Sequence, residues 1–143
     1  MALLIWGPMF EVGVQEIDRQ HRTLFDLANT LAEAVIQGKG PEPLGTIFSE
    51  LVRYTQTHFA LEEQLMAQHG YPATAEHKAS HQELVRQVTE YRHAFTSGDN
   101  AIIDKMLQFF TSWLSRHIME IDKALARHLK QKGLLSQPLT TPP

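Results

Sequence analysis

The chain has 143 residues, 43% hydrophobic and 20% charged, with a formal net charge of −3 and eight histidines. That size supports one domain with a full core, the charge gives no basic footprint for nucleic acid, and the lack of cysteine excludes disulfides and thiolate metal sites. The apolar run Met1 to Phe10 is broken by Gly7 and Pro8 and has no basic leader, so a cytoplasmic protein is expected, without signal peptide or membrane insertion.

Residues 1–14 show no helical repeat and read as an N-terminal arm anchored by Trp6 and Phe10. A first helix is predicted from Gln15 to Asp18 onward, with Asp18 as its cap. Its stripe is His21, Leu24, Leu27, Leu31 and Val35, at a period near 3.6. Gly38 stops it, and Gly38 to Pro43 reads as a loop. A second helix runs from about Leu44 to His69, with Ile47, Leu51, Tyr54, His58, Leu61 or Glu62, and Leu65 on one face. Gly70-Tyr71-Pro72 ends it. A third runs from about Ala73 to Phe95, carrying His77, His81, Leu84, Val88 and Phe95. Ser97 to Asn100 is the next turn. The fourth runs from about Ala101 to Lys130, with Ile103, Met106, Phe110, Trp113 or Leu114, His117, Ile121 and Leu125, and Gly133 stops it. Four amphipathic helices with short loops and no strand-like alternation predict an all-α, antiparallel up-down-up-down four-helix bundle over residues 1–133. Residues 134–143 are expected to be a flexible tail.

The stretch His58 to His81 carries the strongest chemical signal. His58 and Glu62 are four apart, as are His77 and His81, so each pair shares one helix face. Helical rise then sets the depth of each residue. Glu62 and His81 both lie roughly 12–13 Å from the second turn. His21 and His58 lie roughly 23–25 Å from the first turn, and His81 and His117 roughly 24–25 Å from the third. Five inward histidines therefore meet at one depth. As isolated core residues each would need its own hydrogen-bond partner, whereas a shared metal centre satisfies them together. Asp122 is five residues past His117, about 140° around a regular helix. Either the helix is distorted there or Asp122 reaches in from the edge of the stripe; Glu120 is the local competitor, and spacing alone does not separate them. His69, His93 and His128 fall outside this depth and read as surface residues.

These residues resemble the hemerythrin family in its bacterial single-domain form. The family pattern is a lone His, then H-x-x-x-E, H-x-x-x-H and H-x-x-x-x-D, met here by His21, His58 with Glu62, His77 with His81, and His117 with Asp122. The flanking Ile17-Asp18-Arg19-Gln20-His21, His58-Phe59 and Trp113 to Ile118 match as well, so the resemblance spans about Trp6 to Lys130. It implies a non-haem di-iron centre that binds dioxygen reversibly. By position His77, His81 and His117 hold one iron, His21 and His58 hold the other, and Glu62 and Asp122 bridge both beside an oxo or hydroxo bridge. The two-histidine iron is one ligand short and takes dioxygen. The resemblance thus selects Asp122 over Glu120. Leu114 and Phe59 are expected to flank the open position, and Trp6 matches a family aromatic that covers the site. Leu125 departs from the Tyr that some members carry there.

The implied function is oxygen transport, storage or delivery by a monomer, with an oxygen-consuming enzyme as recipient and no enzymatic activity of its own. The alternatives are a di-iron oxidase, peroxidase or nitric-oxide-handling enzyme, and a sensor acting through a partner.

Overall fold

The computed structural model describes residues 4–133. Four long helical rods form a closed ring: α1 (Gln15–Ile36), α2 (Pro41–Gln68), α3 (Thr74–Thr96) and a fourth rod made of α4 (Ile102–His117), a π turn (Ile118–Asp122) and α5 (Lys123–Gln131). α1 packs on α2 and α4, and α3 packs on α2 and α4. With the short connections this is the up-down-up-down bundle that the periodicity predicts. Among the described residues there is no strand, and no helix is long and apolar enough to cross a membrane. The tail expected at 134–143 lies outside the described residues.

The core follows the predicted stripes. Leu24, Leu31, Leu51, Leu84, Ile103, Met106, Phe110 and Leu125 are all buried, while Leu27, Val35, Ile47 and Tyr54 are half-buried and Phe25 and Phe48, outside the predicted stripes, are buried beside them. Two boundaries differ from the sequence reading. α2 starts at Pro41 rather than Leu44, because proline at the first helical position has a preset φ and needs no N–H partner. Asp18 does not cap α1: Val14 holds that position without a side-chain cap bond. Asp18 lies inside the first turn and reaches backward, where its carboxylate accepts the Val12 N–H at 2.8 Å and the Gly13 N–H at 3.1 Å. Gly13 sits at φ +91°, and a Cβ there would meet the Lys130 Nζ at 2.2 Å. The Lys130 side chain is flexible and can move aside, so the positive φ is what favours glycine here.

That clasp ties down the arm. Leu4 and Asn29 exchange two hydrogen bonds, 2.8 Å and 2.7 Å. Trp6 packs on Phe10 and Phe25 at 5.7 Å and 5.2 Å between ring centroids, with the Arg22 guanidinium 5.6 Å from its ring. The 3₁₀ turn Pro8–Phe10 rests against the π turn, so the arm reaches the level of the fourth rod's irregularity.

His93 is exposed, as expected. His69 and His128 are half-buried instead. The His128 Nε2 donates to the His69 carbonyl at 2.8 Å, filling an acceptor that the end of α2 leaves open.

Candidate metal centre

Each rod delivers its polar residues to one depth of the core. His21 comes from α1, His58 and Glu62 from adjacent turns of α2, and His77 and His81 from adjacent turns of α3. The fourth rod gives His117 and Asp122 through the π turn. There the Lys123 N–H bonds to the Ile118 carbonyl, five residues back, so one extra residue fits into the turn. The 140° of a regular helix is thereby taken up, and Asp122 faces the same way as His117. Glu120 is exposed while Asp122 is fully buried. All seven side chains are 3% exposed or less.

Their donor atoms fall into two groups, each within 4.8 Å. One is Glu62, His77, His81, His117 and Asp122; the other is His21, His58, Glu62 and Asp122. The two carboxylates belong to both groups. Glu62 Oε1 faces His77 Nε2 at 3.2 Å and His81 Nε2 at 3.1 Å, while its Oε2 faces His58 Nε2 at 3.1 Å. Asp122 Oδ1 lies 3.1 Å from both His77 Nε2 and His117 Nε2, and its Oδ2 lies 3.0 Å from His21 Nε2. Each carboxylate thus turns one oxygen to each group.

In the cluster, burial and mutual attraction act against each other. Burial alone would raise Glu62 and Asp122, but the surrounding imidazoles hold both well below the usual carboxylate range. Burial alone would lower His21 and His77, but the two carboxylates outweigh it and raise each to about 9. For His58 burial prevails over Glu62 and the value falls. Of these contacts, His77 Nε2 and His81 Nε2 to Glu62 Oε1 have hydrogen-bond geometry. His21 Nε2, His117 Nε2, Glu62 Oε2 and both Asp122 oxygens are buried without a hydrogen-bond partner. Donor atoms that converge at about 3 Å while five of them stay unbonded fit a cation better than a proton network. Imidazole with carboxylate oxygen, and no thiolate, suits iron and other first-row divalent ions.

The outer nitrogens are held unequally. His58 Nδ1 donates to the Gln20 amide oxygen at 2.7 Å, His81 Nδ1 to Glu63 Oε2 at 3.0 Å, and His117 Nδ1 pairs with the Ser80 hydroxyl at 3.0 Å. These donors hold with Nε2 as the inward nitrogen. His21 Nδ1 and His77 Nδ1 have no partner. Phe59 stacks on His81 at 3.8 Å and Trp113 on His117 at 4.3 Å, which fixes both rings. Gln20, Glu63, Ser80 and the Trp113 stack were not singled out from sequence, yet each of the three polar residues adjoins a ligand-type residue in the chain.

The remaining predicted site residues sit as follows. Leu114 is buried one turn before His117. The Phe59 ring lies 6.0 Å from the His58 ring as well as against His81. Trp6 is half-buried and makes its ring contacts with Phe10 and Phe25.

Comparison with known proteins agrees with this geometry. The hemerythrin HHE cation binding domain matches residues 12–129. A bacteriohemerythrin of Stenotrophomonas maltophilia is 38% identical over 132 residues, covering 91% of this chain and 84% of that protein. One from Methylococcus capsulatus is 34% identical over 124 residues, covering 86% and 94%. A crystal structure of wild-type hemerythrin superposes with a TM-score of 0.83 at 32% identity, covering 90% of this chain and 98% of that one. The chain belongs to the hemerythrin family.

Proposed function

We propose that the chain holds two iron ions in this cluster and binds dioxygen reversibly, as a cytoplasmic carrier, store or local supplier of oxygen. The observation that carries the reading is the pair of donor groups sharing Glu62 and Asp122. Two carboxylates with one oxygen toward each group are what a bridged pair of cations needs, and a single-ion site has no use for the division. Two ferrous ions, when bound, would supply the electrons by which dioxygen is held, with an oxo or hydroxo bridge as the expected further ligand.

His77, His81 and His117 hold one ion; His21 and His58 hold the other. The second group has one histidine fewer, so an ion held there would have a position left for dioxygen. Five neutral imidazoles against two carboxylates favour the ferrous state over the higher oxidation states that anion-rich sites support, which suits holding oxygen rather than activating it. Leu114 and Phe59 wall the open position with apolar surface and keep water from it. The arm, with Trp6 packed on Phe10 and Phe25, closes the near end. A monomer that passes oxygen to an oxygen-consuming enzyme fits this arrangement.

The His58→Ala variant tests it. It removes one of two histidines from the open group and leaves the three-histidine group whole. After anaerobic loading with Fe2+, the variant is expected to keep iron but lose the reversible colour change between air and argon. Retained reversible oxygen binding contradicts the assignment.

A further inference from the structure

The two halves of the cluster are braced by groups of different charge. Behind His58 stands the neutral Gln20 amide, and behind His117 the Ser80 hydroxyl. Among the described residues, His81 is the one of the five with a carboxylate on its outer nitrogen, Glu63 Oε2 at 3.0 Å from Nδ1. His21 Nδ1 and His77 Nδ1 have no hydrogen-bond partner among the described residues. Glu63 follows the shared Glu62 on α2 and turns about 100° from it, which brings it across the α2–α3 seam to the outer edge of His81. Its side chain is 33% exposed while His81 is 2% exposed, so the carboxylate stays hydrated as it accepts the ring N–H. Phe59, stacked at 3.8 Å with 7° between planes, leaves that ring no freedom to tilt.

We infer that Glu63 is a positioning residue that holds His81 with Nε2 inward and puts a negative charge behind the three-histidine group, so that this group takes its metal ion first. A carboxylate on the far nitrogen fixes the tautomer and pushes electron density to the ligating one. The two-histidine group has one imidazole fewer and an amide in the matching place. Loading would therefore be ordered, the three-histidine group filling before the two-histidine group. The inference rests on the two-metal reading of the site.

The probe is Co2+ alone, titrated anaerobically into the metal-free chain and followed by its visible absorption and by heat. Two resolved phases of one ion each are expected. Glu63→Gln, which keeps the shape and removes the charge, is expected to weaken the first phase about 10–100-fold and leave the second within a few-fold. Gln20→Glu is expected to strengthen the second phase and narrow the gap. Glu63→Asp should recover part of the first phase. Thermal unfolding of the metal-free variants separates bracing from general damage, and an unchanged midpoint in Glu63→Gln is expected. If the parent chain takes up no Co2+, the two-metal reading fails and the inference with it. If the parent takes two ions but Glu63→Gln titrates identically, or weakens both phases equally, the two-metal reading stands and the role of Glu63 falls.

Discussion

His117 Nε2 and Asp122 Oδ1 stand 3.1 Å apart although five residues separate them in the chain. The π turn Ile118–Asp122 makes this possible by accommodating one residue more than a regular turn. Met119, within that turn, is 45% exposed. Deleting Met119 should therefore restore an ordinary helix with His117 and Asp122 four apart, keep both on the inward face, and preserve two metal ions per chain. Inserting an alanine after Met119 should turn Asp122 about 100° away and lower the metal content. Metal analysis of the purified variants checks both, and loss of metal in the deletion contradicts the account of the turn.

The arm is fastened through Asp18, whose carboxylate takes two backbone N–H groups of Val12 and Gly13. Asp18→Ala leaves the buried Val12 N–H unpaired, a loss of about 1–3 kcal/mol. Chemical denaturation should show that loss, and Trp6 fluorescence should shift as the arm loosens from Phe10 and Phe25. Unchanged stability with unchanged fluorescence contradicts the clasp.

Leu114 is 1% exposed, one turn before His117. Leu114→Ala opens a cavity beside the proposed dioxygen position, admits water, and costs about 2–5 kcal/mol of stability. The oxygenated form should decay faster to the oxidised one, as read by loss of its visible absorption. An equal lifetime in parent and variant removes Leu114 from the wall of the pocket.

Acidity separates the metal-free and loaded chains. His21 and His77 are raised from 6.5 to about 9 by Asp122 and Glu62, against the effect of burial. A histidine raised on folding contributes stability that is full below its unfolded value and is lost as pH climbs through the folded one. The unfolding temperature of the metal-free chain should therefore fall from pH 6.5 to above 9. Metal ions replace those protons, so the loaded chain should hold its unfolding temperature over the same range. Parallel slopes contradict this. The lowered Glu62 and Asp122 act with the opposite sign, and their contribution fades only toward acid.

The cluster was legible because helical rise and period are nearly constant. His21, His58, Glu62, His77, His81 and His117 could be placed at one depth by counting from the turns. Asp122 could not, because a spacing of five fits no face of a regular helix; the family resemblance selected it over Glu120, and the π turn supplies the physical reason. Asp18 misled because a carboxylate near a helix start can satisfy N–H groups ahead of it or behind it, and composition does not say which. Pro41 was read as loop, though proline is well suited to open a helix. Gln20, Glu63 and Ser80 escaped because each lies about 100° off the ligand stripe, where a polar residue ordinarily meets solvent. Their signal was adjacency: each neighbours a ligand-type residue on its own helix and reaches the back of a histidine on another.

The proposed pair of iron ions shares Glu62 and Asp122 and takes up and releases dioxygen. Anaerobic Fe2+ loading of the full chain, iron analysis, and then alternating air and argon test it in one preparation. Two irons per chain and a visible absorption band that rises in air and falls under argon through repeated cycles are the expected result. One iron per chain, or a band that never reverses, contradicts it.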